Sequence, residues 1–226
     1  MANNVVLAAT MATPLLAALY IVLSIFGLAR AYYRDNQAYK SVSQMLDQSV
    51  ELYRSLVPSC LNFAGAFIIA TTGFIYHARQ TSMCSPNTWY TINYVGIFVS
   101  VAFYQSAIAV TLTESLKSHY TLAIAGFITY PVAICLDTYI CYRSTYRYVN
   151  DIIRQPVMIV KGIAATLAIV GDITILGSQV LPRVDTMDLA HNFADKYLFI
   201  GEITLISGIV MHTISLTPDV YFSYIG

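Results

Sequence analysis

Apolar residues in this chain gather into six long blocks separated by short polar stretches. They run Val5–Leu28, Leu56–Ala78, Trp89–Thr113, Tyr120–Tyr142, Val157–Leu181 and Phe193–Leu216. Each is longer than the roughly 20 residues that a helix needs to cross a bilayer. None alternates like a barrel strand, and in lipid only a helix or a closed barrel satisfies its own backbone. The pattern predicts an all-α fold: one polytopic membrane domain spanning residues 1–226, a bundle of about six transmembrane helices. Pro14 and Pro131 fall inside blocks, where proline frees a backbone carbonyl and bends the axis without ending the span.

The connection from Tyr33 to Ser55 is polar but patterned. Tyr39, Val42, Leu46, Val50, Tyr53 and Val57 recur at helical spacing, while Asp35, Lys40, Gln44, Asp47, Glu51 and Arg54 mostly avoid that face. An amphipathic helix over about 33–55 follows, lying on the membrane or packed on a neighbour. Its mixed charges give it no basic face for anionic lipid. Arg30 and Arg34 directly follow the first block, which by the positive-inside bias places this segment in the cytoplasm and the N-terminal end outside. Arg143, Arg147 and Arg154 then lie on the outer side, against the same bias.

Composition excludes a soluble domain. The chain is 57% hydrophobic and 11% charged, whereas soluble domains carry about 25% charged residues. Tyr32, Tyr33, Trp89, Tyr90, Tyr94, Tyr139, Tyr142, Tyr146 and Tyr148 cluster at block ends, where an apolar ring with a polar tip suits the headgroup level. Cys60, Cys84, Cys135 and Cys141 have no metal-ligand or redox spacing, and His77, His119, His191 and His212 are scattered. His212 reads as a hydrogen-bonded interior residue. No phosphate loop or nucleophile motif is present. No enzyme activity, catalytic residue, metal or cofactor is expected, and no nucleic-acid partner.

Polar groups inside the blocks carry the functional signal. Gly171-Asp172-Ile173-Thr174-Ile175-Leu176 recurs thirty residues on as Gly201-Glu202-Ile203-Thr204-Leu205-Ile206. An ion at the bilayer centre costs roughly 2.5–3.5 kcal/mol on insertion scales. Asp172, in mid-block, must therefore be neutral, paired or wet, and Glu202 less deeply so. Lys161 shares its helix face but lies about 16 Å away along the axis, too far to pair with it. Lys161 is instead expected to snorkel to the headgroups. A retinal attachment is not indicated, since Lys196 stands only at the entrance to the last block. Asp137 is a third candidate, within reach of Arg143 or water. Glu114, followed by Lys117, reads as interfacial. Asn93, Ser100, Tyr104 and Thr111 line one face of the third block. Gly201, Gly208 and Ser215, together with Ala164 and Ala168, are small residues at spacings that let helices approach closely.

Two functions fit these features. One is a channel or transporter for a proton, cation or small solute, with Asp172, Glu202 and Asp137 as the ion- or proton-binding groups. The other is a structural or assembly subunit, a scaffold of a membrane complex or envelope. The expected surroundings are the lipid bilayer and either further copies of the chain or partner chains of a membrane complex.

Overall fold

In a computed structural model, the described residues are 2–35, 40–81, 88–110, 115–143, 151–180 and 188–225. Among these residues seven helices are formed: α1 (Ala2–Asp35), α2 (Val42–Asp47), α3 (Glu51–Thr81), α4 (Thr88–Ala109), α5 (Leu116–Arg143), α6 (Asp151–Val180) and α7 (Asp188–Ile225). Six of them, all but α2, are long and apolar enough to cross a bilayer. The fold is therefore an all-α bundle of six spans.

Several helices run past the ends of the hydrophobic blocks. Pro14, Pro58, Pro131, Pro156 and Pro218 all lie inside helices. In α1 the repair is local. Pro14 has no N–H for the Thr10 carbonyl, and the Thr13 hydroxyl donates to that carbonyl instead, at 2.6 Å. In α7 the helix continues through Pro218 to Ile225, well beyond Leu216, where the apolar block ends.

The polar connection carries a shorter helix than its periodicity predicts. Its first part extends α1 to Asp35, its last part opens α3 at Glu51, and only Val42–Asp47 forms the separate α2. A capping box starts α2: the Gln44 amide donates to Ser41 Oγ, and Gln44 Oε1 accepts from the Ser41 amide. The Arg54 guanidinium donates to the Asp47 carbonyl and closes the other end. Ser41→Ala is expected to destabilise α2 by about 1 kcal/mol, seen as faster amide hydrogen exchange at Gln44. Unchanged exchange there would mean that packing alone holds the segment. That packing is through Met45, fully buried among Leu28, Tyr32 and Val57.

The six spans form a closed ring in chain order. Each packs on its predecessor, α7 returns to α1, and α3 also touches α7 across the middle. The apolar core lies within the ring, with Ile21, Ile68, Ile97, Ile134, Leu205 and Ile209 among its members.

The closest approach is between α6 and α7, and the repeated segments make it. A β-carbon on Gly171 would run into the backbone of Leu205 and Gly201, and one on Gly201 would sit 2.9 Å from the Ile175 amide nitrogen. Further along, a β-carbon on Gly208 would lie 2.7 Å from the Ala168 nitrogen and 2.8 Å from the Ala164 oxygen. The small residues Ala164, Ala168, Gly201 and Gly208 are thus taken up by a contact within the chain, where van der Waals packing replaces the missing hydrophobic drive. Ser215 is buried but turns back on its own helix, donating to the His212 carbonyl at 2.6 Å.

Candidate functional site

Five of the six spans send a charged or polar side chain to one place inside the ring. Asp137, from the last two turns of α5, is 2% exposed, and Lys161 of α6 is fully buried. The Lys161 ammonium binds the Asp137 carboxylate directly and lies 2.9 Å from Asp219 Oδ2 of α7. Arg79, near the end of α3, bridges the same two acids, 3.5 Å from Asp137 Oδ1 and 3.6 Å from Asp219 Oδ2. Asn93 of α4 donates to Asp137 Oδ1 at 3.3 Å, and His212 Nε2 of α7 lies 3.2 Å from Oδ2. An ionised carboxylate can only accept, so Nε2 carries the hydrogen in the neutral ring.

The cluster holds two cations and two anions, without net charge when His212 is neutral. Balance is what permits its burial, because an unmatched ion removed from water costs several kcal/mol. Arg79 gains a further contact, its guanidinium 5.4 Å from the centre of the Tyr90 ring. Asp137, Cys141 and Asp219 bring donor atoms within 4.8 Å of one another, close enough to hold a metal ion. Lys161 and Arg79 already supply the positive charge that these acids need.

Tyr130 stands beneath the cluster. Its ring meets His212 edge to face, 6.2 Å between centroids, and its other side borders a cavity of about 170 Å³. This cavity fills the opposite half of the ring. Its walls come from α1, α3, α4, α5 and α7, and α2 covers its end. Most of the lining is apolar; Ser43, Tyr104, Gln105, His119, Tyr130 and Glu202 are the polar exceptions.

Three contacts fasten α2 and the residues before it over this end. The Val42 amide donates to Glu202 Oε2 of α7 at 2.6 Å. Ser43 Oγ lies 2.9 Å from His119 Nε2 of α5, and Lys40 pairs with Asp195 of α7 at 3.6 Å. His119 Nδ1 faces the Ala107 and Val110 carbonyls at 2.8 and 2.7 Å, so it must donate to them. It thereby satisfies carbonyls at the end of α4.

These positions change several sequence-based assignments. Lys161 does not snorkel: its ammonium is enclosed by Asp137 and Asp219, and it reaches toward the bundle axis rather than the headgroups. Asp137 pairs with Lys161, Arg79 and His212, whereas exposed Arg143 turns to the Tyr139 hydroxyl at 3.2 Å. Asp172 is half-buried on α6. It borders neither the cluster nor the cavity, and its Oδ1 is buried with no hydrogen-bond partner among the described residues. Glu202 is buried and faces the cavity.

Along α4, the polar residues take different roles. Asn93 joins the cluster, Ser100 bonds back to the Gly96 carbonyl, and Tyr104 lines the cavity. Thr111, Glu114 and Cys84 lie outside the described residues. Arg79 and Asp219 are members of the cluster that the apolar pattern does not single out. Their only signal in the sequence is a charge just beyond each apolar block, and it becomes legible once the helix is seen to run on.

This architecture defines a multi-pass integral membrane protein with a charge-balanced cluster and an apolar cavity on a common axis. No family model matches the chain, and neither a curated protein nor a solved structure is similar to it.

Proposed function

We propose that the protein is a non-enzymatic membrane carrier that moves a small solute through the ring and is linked to a proton. The observation that carries this reading is a half-open apolar cavity that lies between two closures of different kinds. Toward one membrane surface the ring is shut by the ionic cluster, and toward the other by α2. A carrier needs such a central chamber and two ends that open in turn.

The chemistry of each closure suits the task. The cluster is drawn shut by attraction between Arg79 and Lys161 on one side and Asp137 and Asp219 on the other. His212, Asn93, Tyr90, Tyr130 and Cys141 complete its surroundings. A proton delivered to Asp137 leaves two cations facing one anion, Asp219, and loosens the hold of α3 and α6 on α5. Its departure restores the balance and closes that end. At the other end, α2 is held by the Val42–Glu202 and Ser43–His119 hydrogen bonds and the Lys40–Asp195 pair, so that end opens when these three contacts are exchanged together.

The residues first marked for ion binding divide accordingly: Asp137 serves the proton and Glu202 the chamber, while Asp172 has no place in the path. A scaffold role would draw on small-residue faces free to meet partner chains, and the Gly201 and Gly208 face is occupied by α6.

Proteoliposomes under an imposed pH gradient test the proposal. Wild-type vesicles are expected to take up protons faster than empty vesicles. Asp137→Asn and His212→Phe are expected to remove at least about 90% of that excess, the tenfold loss that accompanies roughly 1.4 kcal/mol at a rate-limiting step. Asp172→Asn is expected to retain it. Vesicles as tight as protein-free controls, or full activity in Asp137→Asn, would overturn the proton link.

A further inference from the structure

We infer that the cavity binds a small organic amine, with the ammonium group at Glu202 and an apolar body about the size of a benzene ring. This deepens the carrier reading and rests on it only in calling the amine a cargo; binding itself is independent of transport.

Size comes first. The space is about 170 Å³, and an apolar protein cavity of roughly 150 Å³ takes up benzene. Ile21, Ile25, Ala64, Ile68, Val101 and Leu205 form much of the wall, so most of a ligand must be hydrocarbon. Charged sugars, nucleotides and peptides are excluded by this lining and by the volume.

The polar exceptions then fix the head group. His119 and Ser43 satisfy each other and the end of α4, and Gln105 Nε2 donates to the Asn62 carbonyl at 3.2 Å. Three groups remain for a ligand. The Tyr104 and Tyr130 hydroxyls are buried and have no hydrogen-bond partner among the described residues. Glu202 has its one described hydrogen bond from the Val42 amide, and no ion pair to it occurs among the described residues.

The contrast with the other end of the ring is decisive. There each acid is matched by Lys161 and Arg79; here, among the described residues, a buried carboxylate meets one neutral donor. An ammonium would supply the missing positive charge, donating to Glu202, while a further N–H reaches the Tyr104 oxygen. A neutral alcohol offers a single uncharged donor, and a carboxylate ligand would place two acids together. Charge-assisted hydrogen bonds are about twice as strong as neutral ones, so discrimination should favour the amine clearly.

Equilibrium dialysis of the purified full-length protein in detergent, with benzylamine, benzyl alcohol and benzoate as probes, tests this inference. Benzylamine is expected to bind about tenfold or more tightly than benzyl alcohol, the ratio given by one charge-assisted hydrogen bond. Benzoate should not bind measurably. Glu202→Gln should erase the preference for the amine while retaining the alcohol. Tyr104→Phe should weaken the amine several-fold, and Ala64→Leu, which fills the chamber, should abolish binding of both. Variants are compared only where gel filtration gives the wild-type elution.

Equal binding of all three probes, or an amine preference that survives Glu202→Gln, overturns the inference, as does wild-type protein that binds no amine. Amine binding without amine flux in vesicles would keep this site and remove the carrier. Proton flux without amine binding would do the reverse.

Discussion

Asp137→Asn is expected to destabilise the bundle by about 3–5 kcal/mol, the cost of leaving buried charges without their partner. Asp137 accepts from Asn93 and His212 and faces both Lys161 and Arg79. Replacing it leaves two buried cations sharing Asp219. The same argument gives the sign of a double substitution. Lys161→Met alone strands an acid, whereas Asp137→Asn with Lys161→Met removes one charge of each sign and retains the Arg79–Asp219 pair. The double variant is therefore expected to be more stable than the sum of the single losses implies, by about 1–3 kcal/mol. Denaturant unfolding in mixed micelles measures all three. An Asp137→Asn protein within about 0.5 kcal/mol of wild type would mean that the cluster does not hold the ring.

Gly171→Ala should be the most damaging single-methyl change in the chain. Its β-carbon would meet the backbone of Leu205 and Gly201 rather than flexible side chains, so α6 and α7 must separate. Overpacking of this kind costs about 1–3 kcal/mol and occasionally more. Gly177 lies on the same helix, and a methyl group added there would meet nothing within 4 Å. Gly177→Ala is therefore expected to be neutral or to stabilise the helix by roughly 0.5–1 kcal/mol through lower backbone entropy. Thermal unfolding of the two variants side by side checks the contrast. Equal midpoints would show that the α6–α7 contact contributes little.

The class and the span number are legible in the sequence because they depend on something local. A run of apolar residues long enough to cross lipid leaves its backbone few choices, and six such runs give six helices. The repeated Gly-acid segment is visible too, but its main role is in the glycine. Gly171 and Gly201 face each other at the helix crossing, whereas of the two acids one position on, Glu202 lines the cavity and Asp172 does not. Adjacent residues on a helix point about 100° apart, so a shared motif need not give its two acids a shared site.

The cluster is harder to see, for two physical reasons. Hydrophobic blocks mark where a helix is apolar, not where it stops. Arg79 lies one residue past Ala78, and Asp219 lies beyond Pro218, so both resemble tail charges. Lys161 is misjudged from its depth alone. It lies about 9 Å along the axis from Gln155 at roughly 1.5 Å per residue, a distance a lysine stem can cover outward. What turns it inward is the pair of acids on α5 and α7, partners that only the tertiary fold supplies. The cavity is illegible for a related reason, since each wall residue reads as ordinary core until the ring is closed.

The order of spans around the ring also sets a sequence of electrical states during membrane insertion. As spans enter from the N-terminal side, α3 delivers Arg79 and leaves one unmatched positive charge. α5 brings Asp137 and neutralises it, α6 brings Lys161 and restores the excess, and only α7 supplies Asp219 to cancel it. The nascent bundle thus alternates between charged and neutral until its last helix docks. A chain stalled before α7 keeps an open seam beside α1 and an uncompensated cation within it.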